Sequence, residues 1–345
     1  MKALVKTKKA PGHMQLAEVP EPMPDAHEVK VEIQYCGICG TDIKIRHDKH
    51  AYYGPPLILG HEYSSVVVEV GGEVSGVSVG DEVVVAPSPT SNVSLRGRSR
   101  NPWGNAGAGF ESEWGFTRYG AFARYFVCDA RRVLKLPDNV DLESAALTEP
   151  VSVCLRGVQD KAQVLSSDVV VVSGPGTIGL LTAQLVKAQG GFVVVLGISS
   201  DVHRLELAKE LGADMVINID EQDPLPEILS LTHGAGVDQV FECAGVEASV
   251  KMCIELARRG GHYVQLGTSM QVMEIDFMQI AYKELTVAGS FAFSRTGWER
   301  SLGLLSRGLI QTAPLVSHKL PLSDWENAFA LAEGKSGVKV LLYPD

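Results

Sequence analysis

Val169-Val-Val-Val-Ser173-Gly174-Pro175-Gly176-Thr177-Ile178-Gly179 is the stretch on which the reading of the fold turns. A run of β-branched residues is what a strand buried on both faces requires. Each glycine after it has a physical task. Gly174 permits a tight turn, Gly176 lets backbone approach a pyrophosphate, and Gly179 lets the next helix pack against the strand. A helix start there offers free N–H groups and the positive end of its dipole to phosphate oxygens. Alone, G-x-G-x-x-G is weak, and an ordinary glycine-rich turn is the competing reading. Between a buried strand and a helix over 178–189 it points to a dinucleotide site, with Pro175, Thr177 and Ile178 in the cradle.

Working outward, the pattern repeats. Strands at 192–196, 215–218, 239–242, 262–266 and 285–289 alternate with helices at 204–211 and 247–257. Repeated β-α-β units imply a doubly wound parallel sheet, here over 151–294. The strand ends supply further cofactor candidates: Gly197, Ser199, Arg204, Gly245, Leu266, Gly267 and Ser290. An acidic residue at the end of the second strand would hold the adenosine ribose and favour NAD. Gly197 stands there instead. Ser199, Ser200, His203 and Arg204 offer partners for a 2′-phosphate, while Asp201 could bend back to the ribose. The reading leans slightly to NADP and leaves NAD open.

Before this region the grammar differs. Short alternating strands at 2–6, 29–35, 63–70, 82–86 and 121–128, separated by Gly, Pro and Asp, suggest a small barrel or sandwich over 1–150. After Ser294 a helix at 298–307 and strands at 316–320 and 338–342 resemble that first region. The tail 295–345 should therefore complete the first domain, with the β-α-β region as an insertion.

Composition narrows the function. At 345 residues the chain exceeds what one core usually supports, so two domains are expected. A net charge of -10 argues against nucleic acid or an anionic membrane as partner. No apolar run approaches the roughly 20 residues that span a bilayer. The lysines of Met1–Lys9 precede no apolar stretch, so no secretory signal is read and a cytoplasmic location is expected. Six scattered cysteines suit reduced thiols better than a disulfide framework. Cys36-x-x-Cys39 runs into Gly-Thr-Asp, read as a turn, which does not suit a redox pair.

Cys39-Gly-Thr41-Asp42, Gly60-His61-Glu62 and Glu149-Pro150 bring thiolate, imidazole and carboxylate, the ligand types that suit zinc. Singly, each has an innocent reading: a buried thiol, a hydrogen-bonded turn histidine, a glutamate at a helix start.

Together, Gly37-Ile-Cys39-Gly-Thr-Asp42, Gly60-His61-Glu62, Thr148-Glu149-Pro150 and Gly174-x-Gly176-x-x-Gly179 resemble the zinc-containing medium-chain dehydrogenases. The polyol (sorbitol) and threonine dehydrogenase branch is the most similar, and the resemblance runs along essentially the whole chain. It implies an α/β fold in which a GroES-like β-rich domain is split around a Rossmann domain. It implies Cys39 and His61 as zinc ligands, Glu62 as a third, exchangeable one, and Glu149 bound to the metal directly or through water. Asp42 would accept a hydrogen bond from His61 and fix its tautomer. Zinc would act as a Lewis acid that lowers the alcohol's pKa, and a hydride would pass to C4 of the nicotinamide. Thr41 would carry the alcohol proton away. A small alcohol or polyol substrate and a homodimer or homotetramer are implied as well.

Three departures stand out. Many relatives carry a structural zinc on four cysteines, and Ser91, Ser94, Gly97 and Asn105 occupy those positions. One catalytic zinc per chain and no structural zinc are therefore expected. The surrounding stretch 87–119, with Arg96, Arg98 and Arg100, reads as a solvated loop rather than an anion site. Lys44 stands where a histidine often ends the proton relay; it could still move protons or contact a cofactor phosphate. Ala292 and Phe293 replace an arginine and a tyrosine of sorbitol dehydrogenases, and Phe291, Phe293, Trp103 and Trp114 would give a less polar pocket. A metal-free enone or quinone reductase on the same fold and a non-catalytic dinucleotide sensor are the alternatives.

Overall fold

The computed structural model describes residues 1–50, 53–86, 119–269, 271–334 and 336–345. The positions read as a vacated zinc lobe, the arginines beside them, Trp103 and Trp114 lie outside those residues. Two compact units divide the chain: one of Met1–Glu149, Ser294–Ser306 and Leu315–Asp345, the other of Pro150–Phe293 and Arg307–Pro314. The short segment 307–314 thus lies with the second unit, although the tail as a whole reads as part of the first.

In chain order the first unit contributes β1 (Lys2–Lys6), β2 (Met14–Glu18), β3 (Glu28–Gly37), β4 (Leu57–Ile58), β5 (Glu62–Val70), β6 (Glu82–Val85), β7 (Tyr125–Asp129) and β8 (Val133–Lys135). The second contributes β9 (Val169–Ser173), β10 (Phe192–Gly197), β11 (Met215–Asn218), β12 (Val237–Glu242), β13 (Ala257–Gln265) and β14 (Thr286–Gly289), after which β15 (Val316–Pro321) and β16 (Lys339–Tyr343) return to the first.

In the first unit β3 is the spine of a seven-stranded sheet of order β15-β16-β3-β5-β6-β8, with β7 also paired to β3. Its alternating apolar residues Val29, Val31 and Ile33 are buried with Val67, Val83, Phe126 and Phe329. Burying each such side chain contributes about 1.5–3 kcal/mol. Antiparallel pairing of β3 with β5 sets Gly37 opposite Glu62. The segment just after β3 is therefore brought beside the residues that open β5.

Two local expectations are corrected here. Gly40–Arg46 is a helix rather than a turn, and the Asp42 carboxylate accepts the N–H of Cys39 at its start (2.9 Å). The strand expected over 121–128 begins only at Tyr125. The buried residues before it bond instead to the loop 58–60, through Ala121 N to Gly60 O and Phe122 N to Leu59 O, both 2.9 Å. That exchange holds the loop leading into His61.

The second unit is a six-stranded parallel sheet of order β11-β10-β9-β12-β13-β14. This is the dinucleotide-binding order, in which the chain reverses direction beside its first strand. Val170, Val171 and Val172 of β9 are fully buried, as a central parallel strand requires. Helices Thr177–Ala188, Val202–Glu210 and Glu247–Leu256 pack on it.

Candidate active site

Cys39, His61 and Glu62 offer one ligand atom each, and these atoms all lie within 4.8 Å of one another. The chain segments that meet at the β3–β5 pairing bring them together. Thiolate, imidazole and carboxylate at that spacing form a donor set for a divalent cation with a position left open. Asp42 is fully buried, and its Oδ1 lies 3.8 Å from His61 Nδ1. Burial opposes the charged form of His61. The charges of Asp42, Cys39 and Glu149 outweigh it and hold the His61 pKa well above the ordinary histidine value. Asp42 is itself raised by burial, an effect offset in part by His61 and by the backbone N–H of Cys39.

The remaining residues picked out in sequence stand around this cluster at different distances. Glu149 is buried but lies outside the three-residue set, although its charge still acts on His61. Thr41 Oγ1 is 3.7 Å from Cys39 Sγ. Lys44 lies one turn further along the same helix; burial lowers its pKa, and the charge of Cys39 pulls the other way. One participant was not anticipated. Lys339 of β16 is buried, and its Nζ donates to Glu62 Oε2 (2.6 Å) and to Ile38 O (3.2 Å). The signal available in sequence is a lone lysine inside the apolar run Val338-Lys-Val-Leu-Leu342.

In the second unit the cofactor candidates gather at the C-terminal ends of the parallel strands, where such sheets bind ligands. Gly174 leaves β9 with φ +96°, and Gly176 caps helix Thr177–Ala188. Gly197 ends β10, Gly245 and Gly267 follow β12 and β13, and Ser290 follows β14. Gly245 and Gly267 nearly touch, since a β-carbon on Gly267 would lie 2.4 Å from Gly245 N. Ser290 N donates to Gln265 O (2.9 Å). Holding these turns is a residue that sequence reasoning missed. The fully buried Glu242 carboxylate accepts the N–H groups of Ala244 (3.0 Å) and Gly245 (2.9 Å) and the amide of Gln265.

The turn that follows β10 is mixed in charge. Arg204 is buried against Asp201, with Nη1 3.2 Å from Oδ1. Ser199 N donates to Asp220 Oδ2 (2.8 Å), a carboxylate not foreseen there. Near β14, Phe291 is 45% exposed, and its carbonyl accepts from Arg156 Nη1 (2.6 Å).

Comparison with known proteins bears on both units. Residues 25–138 match the alcohol dehydrogenase GroES-like domain, and residues 177–307 match the zinc-binding dehydrogenase family. A sorbitol dehydrogenase of Halalkalibacterium halodurans is 37% identical, covering 100% of this chain and 99% of its own. An L-threonine 3-dehydrogenase of Bacillus velezensis is 32% identical with the same coverage. This chain belongs to the zinc-type medium-chain dehydrogenases, in the polyol and threonine branch. Among solved structures, a putative zinc-binding dehydrogenase from Sinorhizobium meliloti bound to NADP superposes with a TM-score of 0.87, at 30% identity and 99% coverage of both chains. As a member of that family, the protein is an NAD(P)-linked alcohol or polyol dehydrogenase.

Proposed function

We propose that this dehydrogenase oxidises a secondary alcohol of the polyol, cyclitol or amino-alcohol type, or reduces the matching ketone, with one catalytic zinc per chain. The convergence of Cys39, His61 and Glu62 within 4.8 Å carries the reading. Those three residues would hold the metal, with Glu149 as a direct or water-mediated fourth partner. When bound, zinc supplies Lewis acidity toward the substrate oxygen. A metal-free reductase has no use for such a ligand set.

The protein's own residues do the rest. Asp42, whose Oδ1 lies 3.8 Å from His61 Nδ1, orients His61 through its charge. The Thr41 hydroxyl relays the substrate's proton, and Lys44, one helical turn further along the same helix, is the next group on that path. The turn at Gly174, Pro175, Gly176, Thr177, Ile178 and Gly179 holds the pyrophosphate, while Gly245, Leu266, Gly267 and Ser290 line the path of the remaining cofactor. We assign a small preference for NADP. Gly197 brings no carboxylate against a 2′-phosphate and Arg204 supplies a guanidinium in the helix that follows, but Asp201 and Asp220 place opposing charge in the same turn.

We also propose a homo-oligomer. β14 pairs with β13 alone among the described strands; Val287 on it is half exposed, and Phe277, Met278 and Tyr282 of the preceding helix are exposed as well. An open apolar edge of this kind is a site for pairing with a second copy. No described helix is long and apolar enough to cross a membrane. The six free cysteines accord with a reducing, cytoplasmic location.

The test is zinc content per chain before and after chelation, with nicotinamide reduction followed over an alcohol and polyol panel. One zinc whose removal stops turnover, and whose return restores it, is the expected result. Absence of zinc, or turnover indifferent to its loss, would sink the proposal.

A further inference from the structure

The Glu62 carboxylate has two claimants. It belongs to the ligand cluster with Cys39 and His61, and its Oε2 is bonded to Lys339 Nζ at 2.6 Å in a pair buried on both sides. The seat is fixed from beneath as well. A β-carbon on Gly37 would fall 2.3 Å from Glu62 Oε2, so the carboxylate lies directly over a residue that has none. Lys339 is anchored independently, because Nζ also donates to Ile38 O and β16 pairs with the end of β3. The ammonium would therefore keep its place if Glu62 turned away.

We infer that Lys339 is a positioning residue that competes with the metal for Glu62, and so sets how tightly the site takes zinc. The inference rests on the zinc reading above and adds the residue that tunes it. Removing an ion from water is costly, and a buried ammonium persists only where fixed negative charge faces it. The Glu62 carboxylate, bonded directly to Nζ and as deeply buried, supplies that charge. A group assigned to the metal is thus the group that stabilises the lysine. In the metal-free chain Lys339 serves as its counter-ion. A dication entering the site must displace or tolerate that positive charge at short range, where little solvent screens it. Lys339 therefore stabilises the empty site and weakens the filled one, which makes zinc binding reversible rather than locked.

The experiment is competition against a zinc-chelating indicator, with thermal melting of the metal-free and zinc-loaded forms, on wild type, Lys339→Met, Lys339→Arg, Glu62→Gln and the Glu62→Gln/Lys339→Met double variant. Lys339→Met should bind zinc about tenfold tighter or more, as expected for coupling between contacting charged groups. Its metal-free form should melt lower, and zinc should raise its melting temperature by more than in wild type. Lys339→Arg, which keeps the charge, should stay close to wild type. In the Glu62→Gln background the effect of Lys339→Met should shrink to a minor one. Should Lys339→Met fail to fold, Lys339→Gln, which keeps a donor for Ile38 without the charge, takes its place with the same expectation. Zinc binding that is unchanged or weaker in the neutral variants, while wild type binds normally, overturns this inference alone. A wild-type chain that takes up no zinc ends the functional reading and this one with it.

Discussion

A β-carbon on Gly179 would lie 1.9 Å from the carbonyl oxygen of Gly174. The first and third glycines of the phosphate turn are therefore in backbone contact, and neither can give way as a flexible side chain could. Gly179→Ala must push the helix Thr177–Ala188 away from β9. Overpacking of this kind costs about 1–3 kcal/mol. The helix start to which the pyrophosphate is assigned above would move with it. We expect NADH and NADPH binding, followed by fluorescence titration, to weaken at least about tenfold, with a lower melting temperature and unchanged zinc content. A variant that binds both dinucleotides like wild type would show that the helix start does not carry the pyrophosphate.

Cys39→Ala separates metal from cofactor. Cys39 lies in one compact unit and the glycine turn in the other. The substitution removes a zinc ligand while leaving Asp42, His61 and the whole second unit chemically intact. Turnover should be abolished and bound zinc lost, while the dissociation constant for NADH changes by less than about threefold, since the substitution touches none of the residues assigned to the cofactor. Alcohol oxidation by Cys39→Ala at a rate near that of wild type would remove zinc from the mechanism.

How much of this was readable in sequence differs between the two units for a physical reason. In the second, strands such as Val169–Ser173 are set by runs of β-branched residues buried on both faces, and the glycines mark their own turns. Those signals are local. In the first unit, the helix Gly40–Arg46 looked like a turn because Gly-Thr-Asp has turn chemistry. What makes it a helix is Asp42 reaching back to the N–H of Cys39. Lys339 shows the limit most plainly. Its role comes from Glu62, separated from it by 277 positions, and no window of sequence contains both residues. Glu242 was invisible for a similar reason, since its task is to accept from the turn that follows it rather than to meet a ligand.

Thiol chemistry gives a test that needs no substrate. Cys36, Cys128 and Cys253 are buried, and burial pushes the pKa of each upward, that of Cys128 to about 12. Because the thiolate is the nucleophile, a pKa of about 12 leaves roughly one Cys128 in ten thousand reactive at pH 8. Cys39 is only partly buried. Iodoacetamide at pH 8 should therefore modify Cys39 of the metal-free enzyme well before these three, and zinc should protect it. Raising the pH toward 12 should bring Cys128 into reaction, since its thiolate fraction grows about tenfold per unit. Peptide mapping by mass spectrometry reads the order. Cys128 or Cys253 labelled ahead of Cys39 in the folded protein would contradict this placement of the thiols.

The proposed preference for NADP is tested at Arg204. Its guanidinium lies against Asp201, and the neighbouring Ser199 N–H is already given to Asp220. NADP must draw Arg204 from its partner, whereas NAD makes no such demand. A charge-assisted hydrogen bond to phosphate contributes about 1.5–3 kcal/mol. Arg204→Ala should therefore lower kcat/KM with NADP about tenfold or more and leave the value with NAD nearly unchanged. Gly197→Asp, the obvious alternative, meets Leu205 and Pro175, each with an atom 3.0 Å from the new β-carbon. It should shift preference toward NAD only as far as Leu205 can yield. The arginine variant is the cleaner measurement, because its effect is read as a ratio between two cofactors in one protein. An equal loss with both would mean that Arg204 merely braces Asp201, and that the discrimination between NAD and NADP lies elsewhere.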